Sequence, residues 1–207
     1  MLLTTKEIAS RLSGSSTADP LVIEPAPDPD KLTAEIHSSF DVHLGRWFLI
    51  PRIARAPAID SDDHQNANAP LHGLMTRTFV PFREEFHLHP GSFVLGATLE
   101  WIRFPSDLAG QIVGKSTWGR RGLVVETASM IHPGFTGSLT LELTNLGELP
   151  VVLRPGMPLA QVSLFKVNAD GAKTGGRLGG YRRAALGKVK SDDLSEALFP
   201  RPRKKTS

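Results

Sequence analysis

Apolar and polar residues alternate over several short segments of this 207-residue chain. In SFVLGATLEWIRF, residues 92–104, the apolar side chains of Phe93, Leu95, Ala97, Leu99 and Trp101 share one face of a predicted strand. In GSLTLELTN, residues 137–145, three leucines take the inward positions and polar residues the outward ones. Residues 149–167 predict two strands around an Arg-Pro-Gly turn. The 19 glycines and 16 prolines separate such segments, which favours an all-β fold of many short strands.

A helical pattern is confined to the N-terminal segment TTKEIASRL, residues 4–12. Thr4 or Thr5 is a plausible N-cap, and Ile8 and Leu12 lie one turn apart on the same face. We therefore expect one short accessory helix beside the strands.

Two other regions lack periodicity. Residues 55–76 are polar and contain proline, which predicts a long surface loop between strands. From Asn168 onward the chain is rich in glycine and basic residues, which predicts a mobile arm. We expect a single β domain over residues 1–167, followed by an arm and tail over residues 168–207.

Charge and composition exclude several classes of protein. The formal charge is +3, but residues 201–207 alone contribute +4, so the remainder carries −1. A basic tail of this kind favours a solvated end over a nucleic-acid-binding face. With no cysteine, the chain has no disulfide, no cysteine-ligated zinc and no thiol nucleophile. No run approaches the roughly 18 apolar residues needed to cross a bilayer, so we expect a cytoplasmic, soluble protein without membrane partners.

The stretch AGQIVGKSTWGRRGL, residues 109–123, resembles a nucleotide-triphosphate loop. Gly114, Lys115 and Ser116 fit the Gly-Lys-Ser end of that motif, but Ala109 occupies the position of its first glycine. The motif also requires a parallel sheet with alternating helices, and the sequence predicts none after residue 123. A Walker-type site is therefore disfavoured.

A short helical turn at this stretch offers another interpretation. Backbone N–H groups at Lys115, Ser116 and Thr117 could hold phosphate oxygens, and Ser116 and Arg120 would project together one turn apart. A capped turn with solvent-exposed charges explains the local pattern equally well.

Glu142 is a single carboxylate in the middle of an apolar and threonine-bearing strand, where glutamate is disfavoured. On the pattern alone, the simpler interpretation is an outward-facing residue of a half-solvated sheet.

Three segments taken together resemble the dCTP deaminases of the dUTPase-like superfamily. SSFDVHLG, residues 38–45, resembles the family's early Asp-x-x-Leu-Gly strand. Residues 86–123 resemble its central block, which ends in a Lys/Arg-Ser-Ser-x-x-Arg-x-Gly motif, and residues 127–165 resemble the block that carries its catalytic glutamate. Three motifs in the same order are a specific match over most of the chain.

The resemblance implies a distorted β-barrel or β-clip fold, a homotrimer with active sites between subunits, and hydrolytic deamination of dCTP to dUTP and ammonia. By position, Glu142 is implied to be the proton shuttle, Ser116 and Arg120 to lie beside the cytosine and the attacking water, and the carbonyl of Ala128 to hold that water. The implied nucleotide-binding positions are Lys115, Ser116, Thr117, Trp118, Gly119, Arg120, His132, Thr140, Leu141, Glu142, Gln161 and Tyr181.

The chemistry agrees with these residue types. One carboxylate can accept a proton from water, protonate N3 of the base and later protonate the leaving amine. Zinc deaminases instead use a metal-bound hydroxide with cysteine ligands, which this chain lacks. His87 and His89 alternate onto one face of a predicted strand, but FHLHPG reads as a strand entering a turn, so we expect no protein-only metal site. Mg²⁺ is expected to bind through the triphosphate of the substrate.

The chain departs from the family pattern at two places. His132 stands where most relatives carry aspartate, which disfavours hydrolysis of the triphosphate. The C-terminal arm keeps Tyr181 but has Gly180 and Ala184 where the family usually has lysine and glutamine. Two alternatives therefore remain beside dCTP deamination: a bifunctional enzyme that also hydrolyses dUTP, and a non-catalytic nucleotide-binding trimer.

Overall fold

The computed structural model describes residues 1–14, 19–34, 36–52 and 75–168. The chain divides into two units. The first comprises Met1–Pro51 and Thr76–Ala185. The second comprises Arg52–Met75 and Leu186–Ser207, of which only Arg52 and Met75 belong to the described residues. The predicted surface loop from residue 55 to residue 74 and the predicted arm beyond Asn168 therefore lie outside them, as does Tyr181.

The described residues contain three short helices. Helix α1 spans Thr5–Ser13, with Thr4 as its N-cap in a capping box with Glu7, so the predicted N-terminal helix is confirmed. Helix α2 spans Pro29–Ala34 and was missed by the sequence analysis, since six residues are too few to show a period. Helix α3 is a single turn, Ser116–Gly119.

Fourteen strands make up most of the regular secondary structure of the described residues, which confirms the all-β prediction. They are β1 (Val22–Glu24), β2 (Phe40–His43), β3 (Trp47–Pro51), β4 (Met75–Phe79), β5 (Phe86–Leu88), β6 (Phe93–Ala97), β7 (Trp101–Arg103), β8 (Leu108–Gly114), β9 (Leu123–Glu126), β10 (Met130–Ile131), β11 (Thr136–Gly137), β12 (Thr140–Asn145), β13 (Val151–Leu153) and β14 (Pro158–Lys166).

These strands form four sheets. Their strand orders are β4-β3-β6-β12-β9, β10-β8-β14-β2, β1-β7-β11 and β13-β5. Strand β14 pairs antiparallel with both β8 and β2, and β12 pairs antiparallel with both β6 and β9. Many neighbours are distant in sequence, so this topology is fixed by tertiary packing and could not be read from local pattern.

The main core lies between the sheets and contains the inward residues of β12 and β14. Leu141, Leu143, Val162 and Leu164 are fully buried there, as the alternation in these segments predicts. Phe48 of β3 fills the same core and stacks on Phe86 with 4.7 Å between ring centroids.

The segment from Phe93 to Arg103 is two strands and not one. Strand β6 ends at Ala97 and β7 begins at Trp101, because the intervening residues bond elsewhere: the N–H of Leu99 donates to the carbonyl of His43 at 2.7 Å. Val94 enters the main core, whereas Phe93 on the alternate face is exposed.

The start of one strand and the pairing of two others were not predicted by the sequence analysis. Met75 and Thr76, placed in the predicted loop, begin β4. The turn predicted between residues 149 and 167 is present, with Gly156 at φ 90, but β13 pairs with β5 and β14 with β8 and β2.

Among the helices of the described part, none has the length and apolar character to span a membrane.

Candidate functional site

Helix α3 lies where β8 ends, and β14 holds it in place. The N–H of Lys115 donates to the carbonyl of Leu159 at 2.9 Å, and Nε1 of Trp118 donates to the carbonyl of Pro158 at 2.7 Å. The N–H of Arg120 donates to the carbonyl of Ser116 at 3.0 Å, which closes the turn. The helical turn proposed from the sequence is therefore present, and Ser116 and Arg120 are exposed one turn apart.

Gly122 directs the chain from this turn into β9. Its φ is +85, and a Cβ atom there would lie 2.6 Å from the backbone nitrogen of Gly147. Only glycine fits this approach, so the geometry of the turn depends on the loop that follows β12.

Lys115 is paired with Asp41 of β2. Its Nζ lies 2.6 Å from each carboxylate oxygen of Asp41. Gln161 of β14 is the cross-strand partner of Asp41, and its Oε1 accepts from the hydroxyl of Ser39 at 3.4 Å. The structure therefore brings together Lys115 and Gln161, two predicted nucleotide-binding residues that are 46 positions apart in the sequence.

Glu142 lies in the middle of β12 and is exposed. Its cross-strand partners are Leu95 of β6 and Glu126 of β9. Residues directly opposite each other in antiparallel strands project to the same face, so the two carboxylates of Glu126 and Glu142 are neighbours. Such a like-charge pair destabilises the sheet. Exposure to solvent alone gives no structural reason for two carboxylates at opposed positions.

A cleft of about 360 Å³ joins the α3 turn to the end of β9. It is lined by Lys115, Ser116 and Gly119 on one side and by Glu126, Thr127 and Ser129 on the other, among others. The cleft thus places Glu126, the cross-strand neighbour of Glu142, together with residues of the predicted anion-binding turn.

The segment after β9 is fixed by two hydrogen bonds. The hydroxyl of Thr127 donates to the carbonyl of Thr140 at 2.8 Å, and the N–H of Ile112 donates to the carbonyl of Ser129 at 2.9 Å. Ala128 lies between these anchors and is exposed. Its backbone is therefore held in one position at the edge of the cleft.

The remaining predicted nucleotide-binding residues are distributed as follows. Thr117 and Gly119 are exposed on α3, and Thr140 is half-buried at the start of β12. Trp118 is half-buried against the main core, with the guanidinium of Arg121 at 5.7 Å from its ring centroid. The side chain of Leu141 is fully buried, so only its backbone is available to a ligand.

His132 follows β10 and is exposed. Its carbonyl accepts from the N–H of Phe135 at 3.2 Å, in a turn where Gly134 has φ 78. Phe135 contacts Phe104 edge to face at 6.5 Å between centroids, which fixes the loop against the core.

The sequence analysis missed Glu126 and gave Asp41 no role at this site. Glu126 follows three apolar residues and carries no motif of its own, and its register against Glu142 depends on pairing across a loop. Asp41 lies in the quoted SSFDVHLG segment, but its contact with Lys115 joins residues 74 positions apart.

His87 and His89 both have exposed side chains. Nε2 of His87 lies 3.3 Å from a carboxylate oxygen of Glu85. Within the part of the chain that the structure describes, no group of three or more His, Asp or Glu residues is placed to hold a metal ion.

The model of a protein family described as dCTP deaminase-like matches residues 2–167. The chain belongs to this family. It is 42% identical over 163 residues to a "dCTP deaminase, dUMP-forming" of Halobacterium salinarum, with 78% of each chain covered. It is 41% identical over 176 residues to a protein of the same description from Streptomyces griseus, with 82% of each chain covered.

The fold of this family member is similar to a solved structure of 2'-deoxycytidine 5'-triphosphate deaminase from Agrobacterium tumefaciens. The TM-score is 0.59, the identity is 21%, and the match covers 80% of this chain. The chain spans about half the length of that protein, 48%. At this identity the likeness establishes the fold and not the activity.

Proposed function

We propose that this family member hydrolyses dCTP to dUTP and ammonia at active sites shared between the subunits of a homotrimer. The observation that carries the proposal is the position of Glu142, an exposed carboxylate in the middle of β12 whose cross-strand neighbour Glu126 lines a cleft together with Lys115 and Ser116. The two curated relatives described above are named as dCTP deaminases, and the matches cover most of their length. This supports dCTP as the substrate.

In the proposed reaction, a water molecule attacks C4 of the cytosine ring. Glu142 accepts the proton of that water and delivers it to N3, which forms a tetrahedral carbon bearing both the hydroxyl and the amine. The carboxylate then takes the hydroxyl proton and gives it to the amine, the C4–N bond breaks, and ammonia leaves. The sum is one water consumed and one ammonia released for each dUTP formed.

Residues around the cleft supply positioning. The hydroxyl of Ser116 and the backbone carbonyl of Ala128 would hold the attacking water, and Arg120 would stabilise charge that develops at the base. Lys115 and Gln161 would bind the phosphates. Because the ammonium of Lys115 is paired with Asp41, phosphate binding exchanges one anionic partner of that lysine for another.

The exposure of Glu142 supports an active site shared between subunits. Glu142 is exposed in the single chain, and acid–base chemistry on a cytosine ring requires a site from which bulk water is excluded. A second subunit that packs on the β12 face would supply the missing wall and bring its own α3 turn toward Glu142.

Mg²⁺ would accompany the triphosphate and reduce its charge. Oxygen ligands suit this ion, and among the described residues Asp41 is a carboxylate beside the proposed phosphate-binding residues Lys115 and Gln161. One carboxylate is too few for a protein-only site, so phosphate oxygens would provide most of the ligands.

A bifunctional reaction is the second candidate. The relatives from Halobacterium salinarum and Streptomyces griseus are both named as dUMP-forming. Formation of dUMP requires cleavage of the α–β phosphoanhydride in addition to deamination. His132 in place of the usual aspartate argues against it, and inorganic pyrophosphate released from dUTP would establish it.

The proposal is tested by the Glu142→Gln variant. Incubation of the wild-type protein with dCTP should release ammonia, and Glu142→Gln should reduce kcat by about 10²–10⁴-fold because it removes the proton carrier. Binding of dCTP, followed by calorimetry, should persist in the variant.

Glu148→Gln is the matched control, since Glu148 is an exposed glutamate in the loop after β12 and outside the cleft. Equal loss in both variants, or no ammonia from the wild-type protein, would contradict the proposal. Tight dCTP binding without turnover would instead indicate the non-catalytic alternative.

A further inference from the structure

A second and larger cavity, of about 690 Å³, adjoins Lys115. Its walls come from the segment before α2, from α2 itself, from β2 and from the turn between β6 and β7. Gln161 lines it as well, so the cavity borders both proposed phosphate-binding residues. The volume falls within the range of small-molecule sites, about 300–1,000 Å³.

Much of the cavity wall is apolar. The apolar residues that line it include Ile23, Pro25, Pro27, Leu32, Phe40 and Leu99. Ile23, Leu32 and Phe40 are buried members of the hydrophobic core, so this part of the wall is fixed. A rigid apolar wall favours the uncharged body of a ligand, since burial of a charged group against it is costly.

The charged groups of the cavity favour neither an anion nor a cation. Two lysines, Lys31 and Lys115, stand against three carboxylates, Asp28, Asp41 and Glu100. The single excess charge is negative, which disfavours an anion. Each carboxylate already accepts a hydrogen bond, and Asp41 is paired with Lys115 at 2.6 Å, so a cation would compete with existing donors. An uncharged ligand meets neither obstacle.

Glu100 and His43 form a hydrogen-bonded pair in the wall. The side chain of Glu100 is 5% exposed and that of His43 is 37% exposed. One oxygen of Glu100 lies 2.6 Å from Nδ1 of His43, and the other accepts the backbone N–H of His43 at 2.9 Å. A carboxylate only accepts hydrogen bonds, so Nδ1 carries the proton, and Nε2 of the neutral ring is an acceptor. Within the described part of the chain, Nε2 has no hydrogen-bond partner.

The turn between β6 and β7 is held without the carboxylate of Glu100. The hydroxyl of Thr98 donates to the carbonyl of Glu100 at 2.8 Å and accepts the N–H of Leu139 at 2.9 Å. The N–H of Leu99 donates to the carbonyl of His43 at 2.7 Å. Because burial of a carboxylate is costly, its two contacts with His43 indicate that the orientation of the imidazole ring has a function.

We propose that this cavity binds an uncharged nucleoside, with a sugar hydroxyl that donates to Nε2 of His43 and a base that lies against the apolar wall. A nucleoside combines a flat ring with hydroxyl donors and lacks the negative charge that the cavity disfavours. The choice of a nucleoside rests on the proposed function, in which nucleotides bind at the neighbouring residues Lys115 and Gln161. The use of Nε2 as an acceptor rests on the geometry of the cavity alone.

Isothermal titration calorimetry with 2'-deoxyuridine tests the proposal. The wild-type protein should bind this nucleoside, and His43→Asn should bind it about tenfold more weakly, because one hydrogen bond to the ligand is lost. Asparagine supplies an amide N–H for Glu100 in place of Nδ1 but has no counterpart of Nε2. The titration requires no turnover, so a protein that fails to release ammonia from dCTP could still satisfy this proposal.

His87→Asn is the matched control, since His87 also lies beside a glutamate but outside the cavity. It should bind 2'-deoxyuridine as the wild type does, and circular dichroism should show that both variants are folded. Equal affinity of His43→Asn and the wild type, or no binding of 2'-deoxyuridine by the wild type, would overturn the proposal.

Analogues of the ligand give a second measurement that does not depend on the folding of a variant. 2',3'-Dideoxyuridine and 2',5'-dideoxyuridine each lack one of the two sugar hydroxyls of 2'-deoxyuridine. One of them should bind the wild type about tenfold more weakly than 2'-deoxyuridine does. His43→Asn should bind that analogue and 2'-deoxyuridine equally, because both changes remove the same hydrogen bond. Equal binding of all three nucleosides by the wild type would contradict donation from a sugar hydroxyl.

Discussion

At the scale of single residues, the pair of Glu126 and Glu142 is the feature that most needs a functional reason. Like charges directly opposite each other in a sheet are destabilising, and both side chains are exposed in the single chain. In the proposed reaction, Glu142 carries a proton between water, N3 and the amine, and Glu126 is the carboxylate opposite it that lines the cleft.

The Glu126→Gln variant separates stability from function. Removal of one negative charge should raise Tm by about 1–3 °C, measured by differential scanning calorimetry. The same change should lower kcat for dCTP by about tenfold, because it removes a charge that lines the cleft directly beside the proton carrier Glu142. A higher Tm with unchanged kcat would show that Glu126 has no role in catalysis. The control variant Glu148→Gln should change neither Tm nor kcat.

The residues of the candidate site differ in how far the sequence could predict them. Lys115, Ser116 and Arg120 lie within one continuous motif, and the sequence predicted their helical turn correctly. Asp41 and Glu126 reach the site only through strand register and a long-range ion pair. Those contacts depend on the complete fold, so no local pattern reveals them. The roles of the predicted site residues stay predictions.

At the scale of elements, local chemistry identified those strands and helices that carry their own signals. The capping box at Thr4 and Glu7 marks the start of α1, and the alternating leucines mark β12. The gap between β6 and β7 carries no such signal. There the hydroxyl of Thr98 accepts the N–H of Leu139, and the N–H of Leu99 donates to the carbonyl of His43. The alternating pattern continues through both residues, so the sequence does not show where β6 ends.

Asp19 joins two elements that are far apart in the sequence. It precedes β1, and its carboxylate accepts the N–H of Ser106 at 2.7 Å and the guanidinium of Arg103 at 3.3 Å. Partial burial acts to raise the pKa of Asp19, but the hydrogen bonds from Ser106 and the charge of Arg103 outweigh it, so the pKa is lowered. The ionised carboxylate therefore stabilises the attachment of this segment to the turn before β8.

The effect of Asp19 on stability should depend on pH. A lowered pKa means that the contribution is present in full above the unfolded-state value, about 3.9, and is lost as the pH falls through the folded-state value. Asp19→Asn should lower the free energy of unfolding in urea at neutral pH by less than about 1 kcal/mol, because the side chain is 44% exposed and water screens it. The difference should shrink at about pH 3. A difference independent of pH would contradict this account.

At the scale of the whole molecule, the sequence predicted the fold class through many short alternating segments and through its resemblance to a family, and the family model covers the same residues that form the strands. The order of strands within each sheet could not be predicted from the sequence. Strand β14, for example, lies between β8 and β2, which are separated from each other by 64 residues from the end of one to the start of the other. Whether one chain or two chains supply the residues of an active site depends on subunit contacts, which local sequence patterns do not encode.

Mixed trimers test whether each active site draws on two chains. Ser116→Ala and Glu142→Gln should each inactivate the protein alone. If Ser116 and Glu142 of one site come from different subunits, a trimer that contains both variants has an interface at which both residues are native. Random assembly of equal amounts, after co-refolding, makes about a quarter of all sites native.

The mixture should therefore recover about a quarter of the wild-type rate of ammonia release. Mixing the two variants after separate folding is the control, and it should give no activity until the subunits exchange. No recovery in a co-refolded mixture that sediments as a trimer would place both residues of a site in the same chain. The exposed face of β12 would then have to be covered by another part of its own chain for Glu142 to act as the proton carrier.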